Sequence, residues 1–292
     1  EAVRLLKREG VDFIKVHTRL SQQAYLAAAD EAKKQGLSFA GHVPQGVSLA
    51  EAAKAGQKSI EHLSEYGLLF ECSGKPGVSL GQIAEAYSAE KCRALFDLFK
   101  QNDTWQTPTL GALQTFAKSP AEIEAELRSK GYLKYVGPAL MRFWTESEKL
   151  APPPPEEIRR ELKPLARKAI EVVGEMHSQG VNILAGCDAL TPGLCLHDEL
   201  ELIVRAGLSP MEALQTATRN PARFLGKLDS FGTVERGKIA DLVILDANPL
   251  ENIGNIRRIN SVVVDGKYLP PGMLKKMLAE VESAAAGKPA SR

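Results

Sequence analysis

A chain of 292 residues, 44% apolar and without an extended low-complexity tract, can bury a large core and has room for one big domain plus an appendage. Its 37 Lys and Arg nearly cancel its 36 Asp and Glu, which excludes the global basic field that gathers nucleic acid or an anionic membrane and points to a small-molecule partner. No apolar run approaches the roughly 18–20 residues of a membrane span, and the first ten residues form a charged amphipathic segment rather than a signal peptide, so the chain reads as a soluble globular protein.

In chain order, short apolar runs at Val11–Val16, Ser38–His42, Ser59–His62, Thr104–Thr109 and Val181–Asp188 predict strands. Between them, amphipathic patterns predict helices at Gln22–Gln35, Leu49–Ala55, Ala89–Gln101 and Glu156–Gln179. Gly10, Gly36, Gly56 and Gly180 each fall just past a helix and before a strand, where a left-handed C-cap is wanted. The alternation is that of parallel strands joined by crossover helices, an α/β fold, through about residue 225. A further helix is predicted at His197–Ala206, another opens at Ser209-Pro210, and Asn220-Pro221 restarts the chain. From Phe231 the character changes to short strands, with apolar runs at Ile239–Leu245 and Ile259–Val264. Residues 271–292 read as a short helix fading into a loose tail. Two connections are long, His62 to Thr104 and Thr109 to Val181, the second stiffened by Pro152–Pro155. Long loops at the C-terminal ends of parallel strands are where substrate lids are usually found.

The four cysteines lack any C-x-x-C pair, which argues against a zinc knuckle or a dithiol redox site. Cys187 reads as a small packed residue of an apolar strand. Cys72 and Cys92 are compatible both with a disulfide, should the protein be exported, and with buried free thiols.

The polar residues of interest sit at the C-terminal ends of predicted strands: Lys15 in Phe-Ile-Lys-Val-His, His42 in Ala-Gly-His-Val, His62 in Ile-Glu-His-Leu and Asp188 in Ala-Gly-Cys-Asp-Ala. In a parallel barrel those ends converge on one face, and a shared metal site explains why residues so far apart in sequence should gather there. His17, two residues past Lys15, points to the same side if the strand continues and would line the pocket. Arg19 is placed to receive a substrate carboxylate, although a plain exposed arginine fits as well. His177, late in a long helix, is most simply a cation near a helix C-terminus. Glu61 precedes His62, so alternation should turn it away, and it is read as structural.

This order of Lys, His, His and Asp resembles the amidohydrolase superfamily, in its prolidase-like and imidazolonepropionase-like branch. The segments Trp105–Leu110, Leu196–Leu200, Ala206–Pro210, Ala217–Pro221 and Gly237–Pro249 carry the same resemblance, which runs to about Leu269. It implies strands four to eight of a TIM-type (β/α)8 barrel over residues 1–225, the C-terminal part of a small β-sandwich over 226–270, and a C-terminal helix and tail over 271–292. It further implies two zinc ions per full-length subunit, bridged by a carboxylated Lys15. His42 and His62 would complete one metal's ligands, and Asp188 would ligate the other and take a proton from the attacking water, while His197 would stand behind the ligands or face substrate. The implied reaction is hydrolysis of an amide or peptide bond, most concretely that of an Xaa-Pro dipeptidase, on a small-molecule or dipeptide substrate. Alternatives are a cyclic amide, imidazolone or lactone hydrolase, and a barrel homologue without catalysis.

In one respect the sequence departs from the family: no His-x-His occurs in it, although that pair supplies two ligands from the first barrel strand. The chain also opens on Glu inside a helical pattern. The expectation is an N-terminally truncated chain whose location, cytoplasmic or exported, and homo-oligomeric state stay open. Five strands cannot close an eight-stranded barrel, so an open crescent is expected, with unpaired edges at Val11–Val16 and Val181–Asp188.

Overall fold

Serine hydroxyls start many of the helices. In the computed structural model of the chain, which describes residues 1–74, 79–142, 152–188, 191 and 193–287, Ser21, Ser48, Ser88, Ser119 and Ser209 each accept a backbone N–H three residues on. The helices they open are α2 (Gln22–Lys34), α3 (Leu49–Lys54), α6 (Ala89–Gln101), α8 (Pro120–Ser129) and α11 (Pro210–Ala217). At Ser48, Ser119 and Ser209 a glutamate three residues later closes a capping box. The remaining helices are α1 (Ala2–Arg8), α4 (Gly67–Ser73), α5 (Leu80–Ala86), α7 (Leu110–Phe116), α9 (Glu156–Ser178), α10 (Cys195–Arg205), α12 (Arg219–Phe224) and α13 (Pro271–Ala285). Among the described residues, no helix is long and apolar enough to cross a membrane.

Strands β1 (Phe13–Val16), β2 (Ser38–Gly41), β3 (Ser59–Glu61) and β4 (Trp105–Thr107) form a parallel sheet in sequence order, with crossover helices between them. The register aligns Lys15, Ala40, Ser59 and Trp105, and then Glu61 with Thr107, so these residues share one face. Ile14, Val16, Phe39 and Ile60 are all buried, and Phe39 meets Tyr25 of α2 edge-on with ring centroids 5.1 Å apart. Further along the chain, α9 packs on α5, α7 and α10.

The predicted strand at Val181–Asp188 is corrected to a single parallel bridge between Gln106 and Ile183. Gln106 N donates to Asn182 O and Leu184 N to Gln106 O, but the next N–H, that of Ala185, goes to Thr216 O at the end of α11. The chain is drawn off the sheet before the strand extends. Cys187 is therefore not a packed strand residue; it is bonded to Cys195 at the start of α10, and Cys72 is bonded to Cys92. Among the described residues the sheet is open, with β1 at one edge.

The second sheet is antiparallel, in the order β5 (Leu242–Leu245), β6 (Ile259–Val264), β7 (Lys267–Leu269). Neighbouring Val243 and Ile244 point to opposite faces and both are exposed, so neither face of this sheet is fully covered within the described residues. It is tied to the first sheet's layer through the short 3₁₀ turn Ile253–Arg257, which packs on α10. There Arg257 bonds Asp198, Glu201 and the Tyr132 hydroxyl. The expected C-terminal helix is present as α13; the last part of the loose tail, 288–292, lies outside the described residues.

Candidate metal centre

β1 presents Lys15 and His17 on one face by simple alternation, and the side chain of Lys15 is 56% exposed. Among the described residues β1 is an edge strand, and only its Ile14 and Val16 side is buried. Gly41, at the end of β2, has φ +120°, and a Cβ there would collide with the Val16 carbonyl oxygen and stand 2.9 Å from Val16 N. The glycine thus lets β1 and β2 close up, and His42 N donates to Val16 O at 3.1 Å. The His42 ring then stacks on His17 at 4.5 Å and lies 4.8 Å from that of His62.

At the end of β3 the backbone turns left-handed for five non-glycine residues, His62, Leu63, Ser64, Glu65 and Tyr66, with φ between 50° and 71°. Such residues are sterically disfavoured, and a run of them persists only where the surroundings hold it. The turn breaks the strand's alternation. Glu61 shares the face of Lys15 by register, and His62 is swung round to join it instead of pointing oppositely. The reading of Glu61 as turned away is therefore corrected. Its Oε2 lies 2.9 Å from Lys15 Nζ, 3.8 Å from His42 Nδ1 and 4.0 Å from His62 Nε2. Glu65 comes within 3.8 Å of the other His42 nitrogen.

Two further left-handed residues complete the group. Asp188, with φ +38°, brings its Oδ2 to 3.5 Å from His62 Nε2 while remaining largely exposed. Thr109, with φ +48° and buried, offers its hydroxyl 2.6 Å from His62 Nδ1. The same hydroxyl lies 2.8 Å from Pro108 O; with its proton on that carbonyl it accepts from Nδ1–H, an arrangement that leaves Nε2 turned toward the Asp188 and Glu61 carboxylates. Burial pushes the pKa of His62 down, and the neighbouring His42 pushes it further, against the pull of Asp188 and Glu61. A neutral imidazole facing two carboxylates is an arrangement completed by a cation.

Among the described residues, buried His42 Nδ1 has no hydrogen-bond partner, and the facing Glu61 Oε2 is met only by the ammonium of Lys15. Buried polar atoms are ordinarily satisfied, so an unpartnered imidazole nitrogen beside a carboxylate invites a ligand. His42, Glu61 and His62 each offer a donor atom within 4.8 Å of the others. Two imidazoles and a carboxylate suit a divalent ion of the zinc type. On this test the residues present fit a metal.

Of the residues expected from sequence, Lys15, His42, His62, Asp188 and His17 are brought together. Arg19 is exposed, with no hydrogen bond or ion pair among the described residues. His197 has Arg257, Asp198 and Glu201 as its charged neighbours, and burial lowers its pKa. His177 pairs instead with Glu212 at 3.1 Å. Sequence reasoning missed Glu61 and Thr109. For Glu61 the signal was available: counting the strand from Ser59 in twos puts it on the inner face. For Thr109 there was none, since its role depends on a backbone turn. Beside Asp188 a cavity of about 400 Å³ opens between α7, α8 and α10, lined by apolar Ala112, Phe116, Ile123, Leu127 and Leu202.

Residues 114–269, just over half of the chain, match the amidohydrolase family. The ochratoxinase of Aspergillus niger is 25% identical over 268 residues, a stretch covering 86% of this chain and 44% of that protein. Among solved structures, a Xaa-Pro dipeptidase with bound methionine in the active site is similar with a TM-score of 0.62 at 24% identity, over 92% of this chain and 57% of that one. A bottromycin amidohydrolase gives 0.69 at 23% identity, over 97% and 61%. At these identities the structural likeness speaks to the fold. The chain spans less than half the length of the ochratoxinase it matches.

Proposed function

The chain belongs to the amidohydrolase family, and from that premise we propose that it carries part of the metal centre of a hydrolase that cleaves an amide or peptide bond with an activated water, an Xaa-Pro dipeptidase being the most concrete version. The observation that carries this reading is the convergence of donor atoms of His42, Glu61 and His62 within 4.8 Å of one another, with His42 Nδ1 buried and unpartnered among the described residues. In the same reading the four parallel strands, with the bridge at Ile183 in the fifth place, are strands four to eight of a (β/α)8 barrel over 1–225, and the second sheet is part of a β-sandwich over 226–270.

His42, His62 and Glu61 would hold one divalent ion, with Lys15 beside them as ammonium or, carboxylated, as a further oxygen donor. When bound, such an ion makes a water nucleophilic near neutral pH and polarises the scissile carbonyl. The protein's own residues supply the rest. Thr109 fixes the His62 ring so that Nε2 faces the centre. Asp188, exposed and 3.5 Å from His62, would serve as the proton acceptor and return the proton to the leaving nitrogen. The cavity beside Asp188, lined by apolar side chains and by charged ones such as Lys118, Glu126 and Arg205, would receive a side chain of the substrate.

Metal analysis and a dipeptide screen on the full-length protein test the proposal. Zinc in stoichiometric amount and turnover abolished by His62→Ala are expected. Metal-free protein that turns over dipeptides at the same rate would overturn it.

A further inference from the structure

The metal centre leaves one buried acid without a role. Glu199, wholly buried on α10, lies in the Leu196–Leu200 motif. Its Oε1 accepts from Leu110 N and its Oε2 from Gly111 N, both at 2.8 Å. These are the first two N–H groups of α7, which have no partner within the helix, and a carboxylate there is favoured both by the free donors and by the helix dipole.

The residue in the N-cap position of α7 is Thr109, a type that ordinarily uses its own hydroxyl for this purpose. Here it makes no such bond. Its backbone is left-handed, and its hydroxyl is spent on Pro108 O and His62 Nδ1. A carboxylate 89 positions beyond Leu110 does the capping in its place.

We propose that Glu199 is a positioning residue for His62: by capping α7 from α10 it releases the Thr109 hydroxyl, which then holds His62 as the Nδ1–H tautomer with Nε2 free. The consequence for metal binding rests on the reading of His62 as a ligand given above, but the tautomer itself does not. Partners of this kind behind a ligating histidine typically change metal affinity by about 10–100-fold when removed.

The test is the tautomeric state of His62, read from long-range ¹H–¹⁵N correlations of the imidazole in the metal-free chain at mildly alkaline pH, with zinc affinity by calorimetry as the second readout. The wild-type chain and Thr109→Ser should both show the Nδ1–H form. Glu199→Gln, which turns an amide NH₂ toward one of the two N–H groups, should shift His62 toward Nε2–H and weaken zinc binding by about tenfold or more. Thr109→Val removes the hydroxyl while leaving the Glu199 cap in place, so the same shift in this variant keeps the test open should Glu199→Gln fail to fold. His62 in the Nε2–H form in the wild type, or an unchanged tautomer in Thr109→Val, would overturn the inference. So would a folded Glu199→Gln with unchanged tautomer. A tautomer that shifts as expected in a chain that takes up no zinc upholds this inference and overturns the metal reading instead.

Discussion

Lys15 Nζ stands 2.9 Å from Glu61 Oε2, bridging β1 and β3 across the strand between them. The pair sets two chemistries against each other. As an ammonium, Lys15 is attracted by Glu61; as a carbamate, it would face that carboxylate with like charge. A carbamate at this position therefore needs a cation between the two. The metal-free chain is expected to carry an unmodified Lys15, and addition of zinc with ¹³C-bicarbonate to produce the carbamate signal by ¹³C NMR. A carbamate formed equally well without metal would refute the argument.

Zinc binding should also be visible as stability. A ligand that binds only the folded chain adds about 2.7 kcal/mol at one hundred times its dissociation constant. Thermal unfolding with and without a chelator should show an upward shift of Tm with zinc, lost in His42→Ala and in Glu61→Gln. The shift should persist in His177→Ala, because His177 is engaged with Glu212.

Gly41→Ala is expected to destabilise the chain. Its positive φ and the nearness of the Val16 backbone leave no room for a Cβ, so β1 must be pushed away from β2. Overpacking of this sort costs about 1–3 kcal/mol. The movement should also separate His17 from His42, so denaturant unfolding and zinc affinity are both expected to fall. Gly46→Ala, where nothing lies within 4 Å of the added Cβ, serves as the comparison, since it too has a positive φ but meets no neighbour.

Glu199 gives the stability of the chain a definite pH dependence. Burial pushes its carboxyl up to about 7, against the two backbone N–H bonds that favour the ionised form. In the unfolded chain the same group ionises near 4.5. Between these values the folded state holds a proton that the unfolded state has lost, so this contribution is fully present below pH 4.5 and falls as pH rises to about 7, by on the order of 3 kcal/mol. Urea unfolding across that range should show the decline, and Glu199→Gln should flatten it. An unchanged slope in the variant would assign the pH dependence elsewhere.

The Cys72–Cys92 bond ties the last turn of α4 to the first turn of α6 across a separation of 20 residues that contains α5, and both cysteines are buried. A crosslink over a loop of this length stabilises by about 3 kcal/mol. Cys72→Ser with Cys92→Ser should lower the urea midpoint accordingly and leave zinc affinity intact, because neither cysteine touches the histidines.

Much of this was legible in the sequence because it follows from periodicity and composition. Apolar and amphipathic runs marked most of the strands and helices, and glycines after helices marked the turns into β1, β2 and β3. Lys15 and His42 could be placed because each lies on or just past a strand, where parity decides the face. What resisted reading was backbone of unusual hand. Nothing in His62–Tyr66 announces five left-handed residues, none of them glycine, and without that turn His62 and Glu61 cannot share a face. The 181–188 segment was misjudged for a different reason: its apolar run is that of a strand, but Thr216, distant in sequence, takes the hydrogen bond that would have extended the ladder.

The left-handed run has a bearing on anyone who would make this protein hardier. One route to extra stability replaces side chains at positive φ with glycine, which adopts that backbone without steric penalty. Applied at Ser64 or Glu65, the exchange would ease the turn and at the same time slacken the one segment that brings His62 round to Glu61. A hardier variant chosen by melting temperature alone would be drawn toward these positions, and it would gain its robustness by letting His62 drift away from Glu61.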